Sequence, residues 1–161
     1  MYETFLVVLR ALHNVNRWAV LIGLAWVLVV LYRGLFARAA WEERHTRMTK
    51  RVAGLLDLQF MLGLALYVFG PFGRLAFGSF GEMMGQAVLR FFALEHPLQM
   101  VVAVAIAHTG LVIARRAATD RTRFRRAAIG FTLALALILA GIPWPSLPYG
   151  RPLLPSLAGL F

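Results

Sequence analysis

The chain has 161 residues, of which 60% are hydrophobic and 15% charged, and its mean hydropathy is +0.71; a soluble domain of this length has more polar surface to cover, so the composition points to an integral membrane protein. The formal net charge of +10 is gathered beside apolar runs, which is the placement of topology anchors and not of a stripe that tracks nucleic-acid phosphates. The lack of cysteine excludes disulfides, thiolate nucleophiles and iron–sulfur clusters within the chain.

The opening MYETFLVVLR has no basic stretch followed by a small-residue cleavage site, and is expected to be mature sequence. Four apolar segments then reach the roughly 20 residues that a helix needs to cross a bilayer. The first, centred on RWAVLIGLAWVLVVLYRG, is expected over 15–36, the second over 52–70, the third over 91–114 and the fourth over 126–142. Short connections and the absence of a repeat predict one all-α transmembrane domain over 1–161, a four-helix bundle running up-down-up-down. The connection Arg33–Arg51 holds six Lys or Arg, and so does Arg115–Arg126. The other exposed segments hold five, namely Arg10, Arg17, Arg74, Arg90 and Arg151. The positive-inside rule therefore puts both basic connections in the cytoplasm and both termini outside. His45, within EERHTRMTKR, is expected to be solvated. The loop GPFGRLAFGSFGEMMGQ, rich in Gly and Phe, is expected to fold back on the bundle. The tail PWPSLPYGRPLLPSLAGLF stops the fourth helix near Pro143, with Trp144 and Tyr149 at the outer interface and Trp41 at the inner one.

An ionisable residue inside a membrane span is costly and marks a candidate site. At about 1.5 Å of rise per residue, His96 lies about 28 Å from the level of Arg115, and His13 about 30 Å from that of Arg33. The two histidines come from different helices and reach nearly one depth, toward the outside. Asp57 and His108 form an inner layer, roughly 9 and 10 Å from their basic boundaries, where they are expected to meet as a hydrogen-bonded pair. Gln59 and Thr109 are expected to extend that pair into a small network.

Two imidazoles at matched height suit a haem b held between helices, which also needs cations near the surface for its propionates. Arg17 lies one turn from His13 on the same face, and Arg90 precedes His96 on the outer side. The same residues also fit plainer roles. An interfacial histidine bonds headgroups or loop carbonyls and an arginine snorkels to the surface. Pro97 disfavours helical geometry at His96, so the third helix is expected to kink or begin there. Met100, one turn from His96, with Met83 and Met84 in the loop, fits Cu(I). The inner Asp57–His108 pair fits a proton or quinone site, or a structural hydrogen bond. Hydrolase chemistry has no support, since there is no nucleophile elbow, His-Glu-x-x-His or phosphate loop.

At HNVNRWAVL, DLQFMLGLALY, LRFFALEHPLQM and LILAGIPWP the chain resembles, over most of its length, a family of small four-helix bacterial membrane proteins labelled cytochrome b-like. His13, Arg17 and Trp18 match the family's histidine, short spacer and Arg-Trp, and Glu95 with His96 matches its Glu-His opening of helix 3. The family often has a histidine where this chain has Asp57, so the likeness carries no inner haem on His108. It implies haem b binding and electron transfer in the bacterial cytoplasmic membrane.

The expectation is thus a haem b-binding, multi-pass subunit that carries electrons near the outer face, beside a respiratory complex or redox partner, and is not an enzyme on its own. His13 and His96 are the expected axial ligands, Arg17 and Arg90 hold propionates, and Glu95 orients a ligand. Asp57 and His108 contact a proton path or a quinone. The alternative, from a different class, is a cofactor-free structural or assembly subunit.

Overall fold

Residues 1–154, apart from Ser79 and the side chain of Phe77, are described by a computed structural model. Each apolar run becomes a helix longer than the run itself, because no proline or glycine-rich break stops the backbone where the polar ends begin. Helix α1 covers Tyr2–Phe36 without interruption and so begins well before Val15. Its buried positions Leu6, Leu9, Asn16, Val20, Leu24, Val27, Leu31 and Gly34 recur three or four residues apart, except for the seven-residue step from Leu9 to Asn16, and form one stripe facing the core along the helix. Helix α2 covers Glu43–Phe69 and starts ahead of Val52. The loop expected after it contains helices α3 (Pro71–Gly78) and α4 (Phe80–Gly85). Helix α5 (Ala87–Arg90) leads through a π-helical turn, Phe91–Glu95, into α6 (His96–Arg115). Helix α7 (Asp120–Gly141) begins before Arg126, since the Thr119 side chain accepts a hydrogen bond from the Thr122 backbone and caps it. There is no strand among the described residues. Residues 155–161 of the proline-rich tail lie outside the described residues.

Helix α6 is counted from His96, where Pro97 led a start or kink to be expected, yet His96 itself keeps the helical φ −61° and ψ −50° that a following proline disfavours. The π-turn absorbs the misfit: the His96 backbone N–H reaches back five residues to the Phe91 carbonyl. Proline has no N–H to offer the carbonyl four residues before it. That carbonyl, of Ala93, instead accepts from the Tyr67 hydroxyl on α2 at 2.9 Å.

The basic connection between α1 and α2 tucks under the bundle. His45 is only 5% exposed, contrary to the solvated role expected of it. Its Nδ1 accepts from the Glu42 backbone N–H at 2.9 Å in a capping box, and its ring lies against Trp41 and Phe124. Phe124 in turn rests on α1 where Gly34 has no side chain to obstruct the ring. Helix α1 closes with the Ala39 N–H bonded to the Gly34 carbonyl at 3.0 Å. Arg38 sits in that turn at φ 50°, a position that usually takes glycine and costs another residue about 1 kcal/mol or more.

The tightest packing is between α6 and α7. A Cβ on Gly110 or Gly130 would lie 2.7 Å from the other's Cα, so the two backbones meet directly, as small residues permit in membrane helices. Helix α1 packs on α2 and α7, and α2 touches α6 more lightly. Between them lies a core of Leu24, Val27, Leu31, Leu56, Phe124, Phe131 and small alanines. Four helical spans, Tyr2–Phe36, Glu43–Phe69, Ala87–Arg115 and Asp120–Gly141, are long and apolar enough to cross a membrane. Large apolar side chains such as Ile22 and Trp26 point outward from them. The chain is a multi-pass membrane protein.

Candidate functional site

His13 is placed by the inward stripe of α1 and lies against Gly63 of α2, where a Cβ would come within 3.1 Å of its Cε1. The Gln59 amide nitrogen lies 3.1 Å from His13 Nε2 and donates to the His13 backbone carbonyl at the same distance. The Gln59 oxygen accepts from Asn16 Nδ2 at 2.9 Å, and that amide also reaches the Leu55 carbonyl. A polar seam thus joins α1 to α2 inside an apolar bundle. His13 Nδ1 is buried with no partner among the described residues.

His96 stands at the first turn of α6, next to the π-turn. Its Nδ1 lies 2.8 Å from the Gly141 carbonyl at the end of α7, which leaves Nε2 as the ring's uncommitted nitrogen. His13 on α1 is bonded to Gln59 of α2 and His96 on α6 to Gly141 of α7, and no hydrogen bond joins the two imidazoles among the described residues.

The residues expected to hold propionates are engaged with protein groups. Arg17 donates from Nη2 to Asn14 Oδ1 and to the Leu153 carbonyl, and Trp18 Nε1 donates to the same carbonyl at 3.0 Å. Its Nε is buried without a partner among the described residues. The tail is held across this end of the bundle by a second contact, Tyr149 stacked on Phe91 at 3.8 Å between ring centres. Arg90 pairs with Glu95 at 2.7 Å and donates to the Met84 carbonyl, so Glu95 faces an arginine and not a histidine.

The inner pair forms as expected, with His108 Nε2 2.7 Å from Asp57 Oδ1. It lies on the outside of the bundle, with the side chains 43% and 53% exposed respectively, at the seam between α2 and α6. Gln59 does not extend it. Two residues along a helix rotate the side chain by roughly 200°, so Gln59 points to α1 while Asp57 points out. No hydrogen bond links Thr109 to the pair among the described residues.

The donor set is compatible with ligation by two imidazoles. His96 has the backbone-anchored Nδ1 that metal-bound histidines typically show, and His13 has an unpartnered ring nitrogen beside a glycine. Gln59 is the group that would have to yield His13 Nε2. Among the described residues no three His, Cys, Asp or Glu side chains gather as a metal cluster, so only a site of few protein ligands fits here. Two cavities lie elsewhere, around Arg38 and Arg121 and around Trp41 and Arg115. Tyr67 and the Arg17–Leu153 contact were not singled out by sequence, and Gln59 was assigned to the Asp57–His108 pair and not to His13. Of these, only Gln59 left a signal, as a polar residue within an apolar span. Comparison with protein-family models, with curated proteins and with solved structures finds no match to this chain.

Proposed function

We propose that the chain is a haem b-binding membrane subunit for electron transfer, with His13 and His96 as the axial ligands. The observation that carries this reading is the state of the two imidazoles: His96 on α6 is oriented through Nδ1 by a backbone carbonyl, and His13 on α1 has a buried ring nitrogen without a partner among the described residues. A bound b-type haem supplies a one-electron iron couple. Gly141 fixes the His96 ring, Gln59 gives up or keeps the His13 ring, and the Arg17–Trp18 grip on Leu153 keeps water from that end. Arg17 and Arg90 supply the nearest cations for propionates, by exchanging the partners they now hold. The proposed frame is an up-down-up-down bundle in the bacterial cytoplasmic membrane, with both termini outside and both arginine-rich connections in the cytoplasm. Asp57 and His108 then lie toward the cytoplasmic side, open to a quinone headgroup or a partner subunit.

A second reading has its own support. Both histidines already have hydrogen-bond partners within the chain, which is how structural polar residues in membrane bundles are satisfied. In that case the chain is a cofactor-free subunit that anchors or assembles a membrane complex.

A dithionite-reduced minus oxidised spectrum of the purified protein, with haem quantified as its pyridine haemochrome, decides between them. The haem reading expects a sharp low-spin b-type band at near one haem per chain, lost in His13→Ala and His96→Ala while circular dichroism stays helical. A featureless spectrum from cells supplied with haem refutes it and leaves the structural subunit.

A further inference from the structure

The arginine-rich end of the bundle holds a cavity of about 570 Å³ between the end of α1 and the start of α7. Three guanidiniums line it, Arg38 from the turn after α1 and Arg121 and Arg125 one helical turn apart on α7. Among the described residues none of the three has a hydrogen bond or ion pair. Nearby arginines differ: Arg123 reaches Asp120 at 3.8 Å and the Ala117 carbonyl, and Arg126 donates to the Ile113 carbonyl at 2.9 Å. Asp120 is the acidic residue closest in sequence, and it is turned to Arg123. The hydroxyl of Thr119 donates to Thr122 Oγ1 and accepts from the Thr122 backbone, so the Thr122 hydroxyl proton is left to serve the cavity. The opposite wall is apolar, made by Leu35 and the largely exposed ring of Phe36, which end the membrane-spanning run of α1.

We propose that this cavity binds the phosphate headgroup of an anionic glycerophospholipid. Three unpaired cations and a hydroxyl suit a phosphate, which takes charge-assisted and forked hydrogen bonds from arginine, and they favour a net-anionic headgroup because the ammonium of a zwitterionic one would add a fourth positive charge. The volume suits a glycerophosphate headgroup, because ligand sites run from about 300 to 1,000 Å³. The apolar wall at the level where α1 leaves the hydrocarbon suits the first carbons of the acyl chains, as basic pockets between membrane helices do for acidic lipids. A free anion has no use for Leu35 and Phe36. The site is independent of haem, and stands whichever reading of the histidines holds.

The test uses the full chain, delipidated in neutral detergent, with short-chain phosphatidylglycerol, phosphatidylcholine of the same chain length and inorganic phosphate as probes. Native mass spectrometry gives the stoichiometry and calorimetry the affinity. One phosphatidylglycerol per chain is expected to bind at least about tenfold more tightly than phosphatidylcholine. Arg121→Gln/Arg125→Gln should erase that preference, and Arg38→Gly should weaken it while keeping the fold, because glycine suits the backbone there. Arg47→Gln/Arg116→Gln, outside the cavity, should leave it intact. Equal affinity for the two lipids overturns the proposal, as does an equal loss in the outside pair. Inorganic phosphate that binds as tightly as phosphatidylglycerol overturns it in favour of a free-anion site. Should the double variant on α7 not fold, the Arg38→Gly result decides alone.

Discussion

The Tyr67 hydroxyl donates to the Ala93 carbonyl across 2.9 Å, joining α2 to the π-turn at the one carbonyl that Pro97 leaves without its usual partner. Inside a membrane no water is present to take the place of that donor. Tyr67→Phe should therefore lower stability by about 1–3 kcal/mol, read as the thermal midpoint of the helical signal in detergent. With Pro97→Ala in the background, residue 97 regains an N–H and the same substitution should become nearly silent. An equal loss in both backgrounds would show that the hydroxyl answers to something other than the proline.

Gly110 and Gly130 set how closely α6 and α7 approach. Gly110→Ala forces a methyl group into the opposite backbone, and is expected to cost about 1–3 kcal/mol through overpacking. Gly54→Ala is the matched control. Nothing lies within 4 Å of a Cβ at that position, and alanine is the better helix former by about 0.5–1 kcal/mol. The first variant should melt earlier and the second no earlier than the parent.

Gln59 occupies His13 Nε2, so a metal bound through that nitrogen and not through the unpartnered Nδ1 would have to displace it. Gln59→Ala should lower stability by about 1–3 kcal/mol, since Asn16 and His13 both lose a partner in a dry seam. On the haem reading it should also raise, not lower, the haem content of protein expressed under limiting haem. A fall in content would mean that Gln59 positions the ligand and does not compete for it.

Hydropathy located all four spans because lipid demands long apolar runs, and it is the one constraint that a single sequence displays openly. Helix ends were misplaced for a related reason. Tyr2 to Asn14 and Glu43 to Arg51 are helical through caps and packing that hydropathy does not register, such as the His45 capping box. The meeting of Asp57 with His108 was legible from counting rise per residue. What counting could not reach was rotation. A helix position fixes depth, but the neighbour a side chain meets depends on which helices pack together. For that reason Gln59 was assigned to Asp57 when it faces His13, and the contact of Arg17 with the tail went unread. The Tyr67–Ala93 bond spans two helices and answers a defect in one of them, which no local pattern records.

The His108–Asp57 pair, 2.7 Å apart and about half exposed, is a polar feature on the outward face of the bundle. If it were there for stability, removing it cleanly should hurt. Hydrogen bonds between membrane helices contribute only about 0.6–2 kcal/mol, and a well-matched polar pair replaced by apolar residues is often neutral. Asp57→Leu alone should destabilise, because it strands the imidazole in lipid. Asp57→Leu/His108→Leu should return the melting temperature to within error of the parent, and Asp57→Asn should stay close to it, since the amide oxygen still accepts from Nε2–H. A double variant that folds as well as the parent removes the structural reason for the pair and leaves contact with a proton, a quinone or a partner subunit as its purpose. One that melts as early as Asp57→Leu would instead make the pair a clamp between α2 and α6.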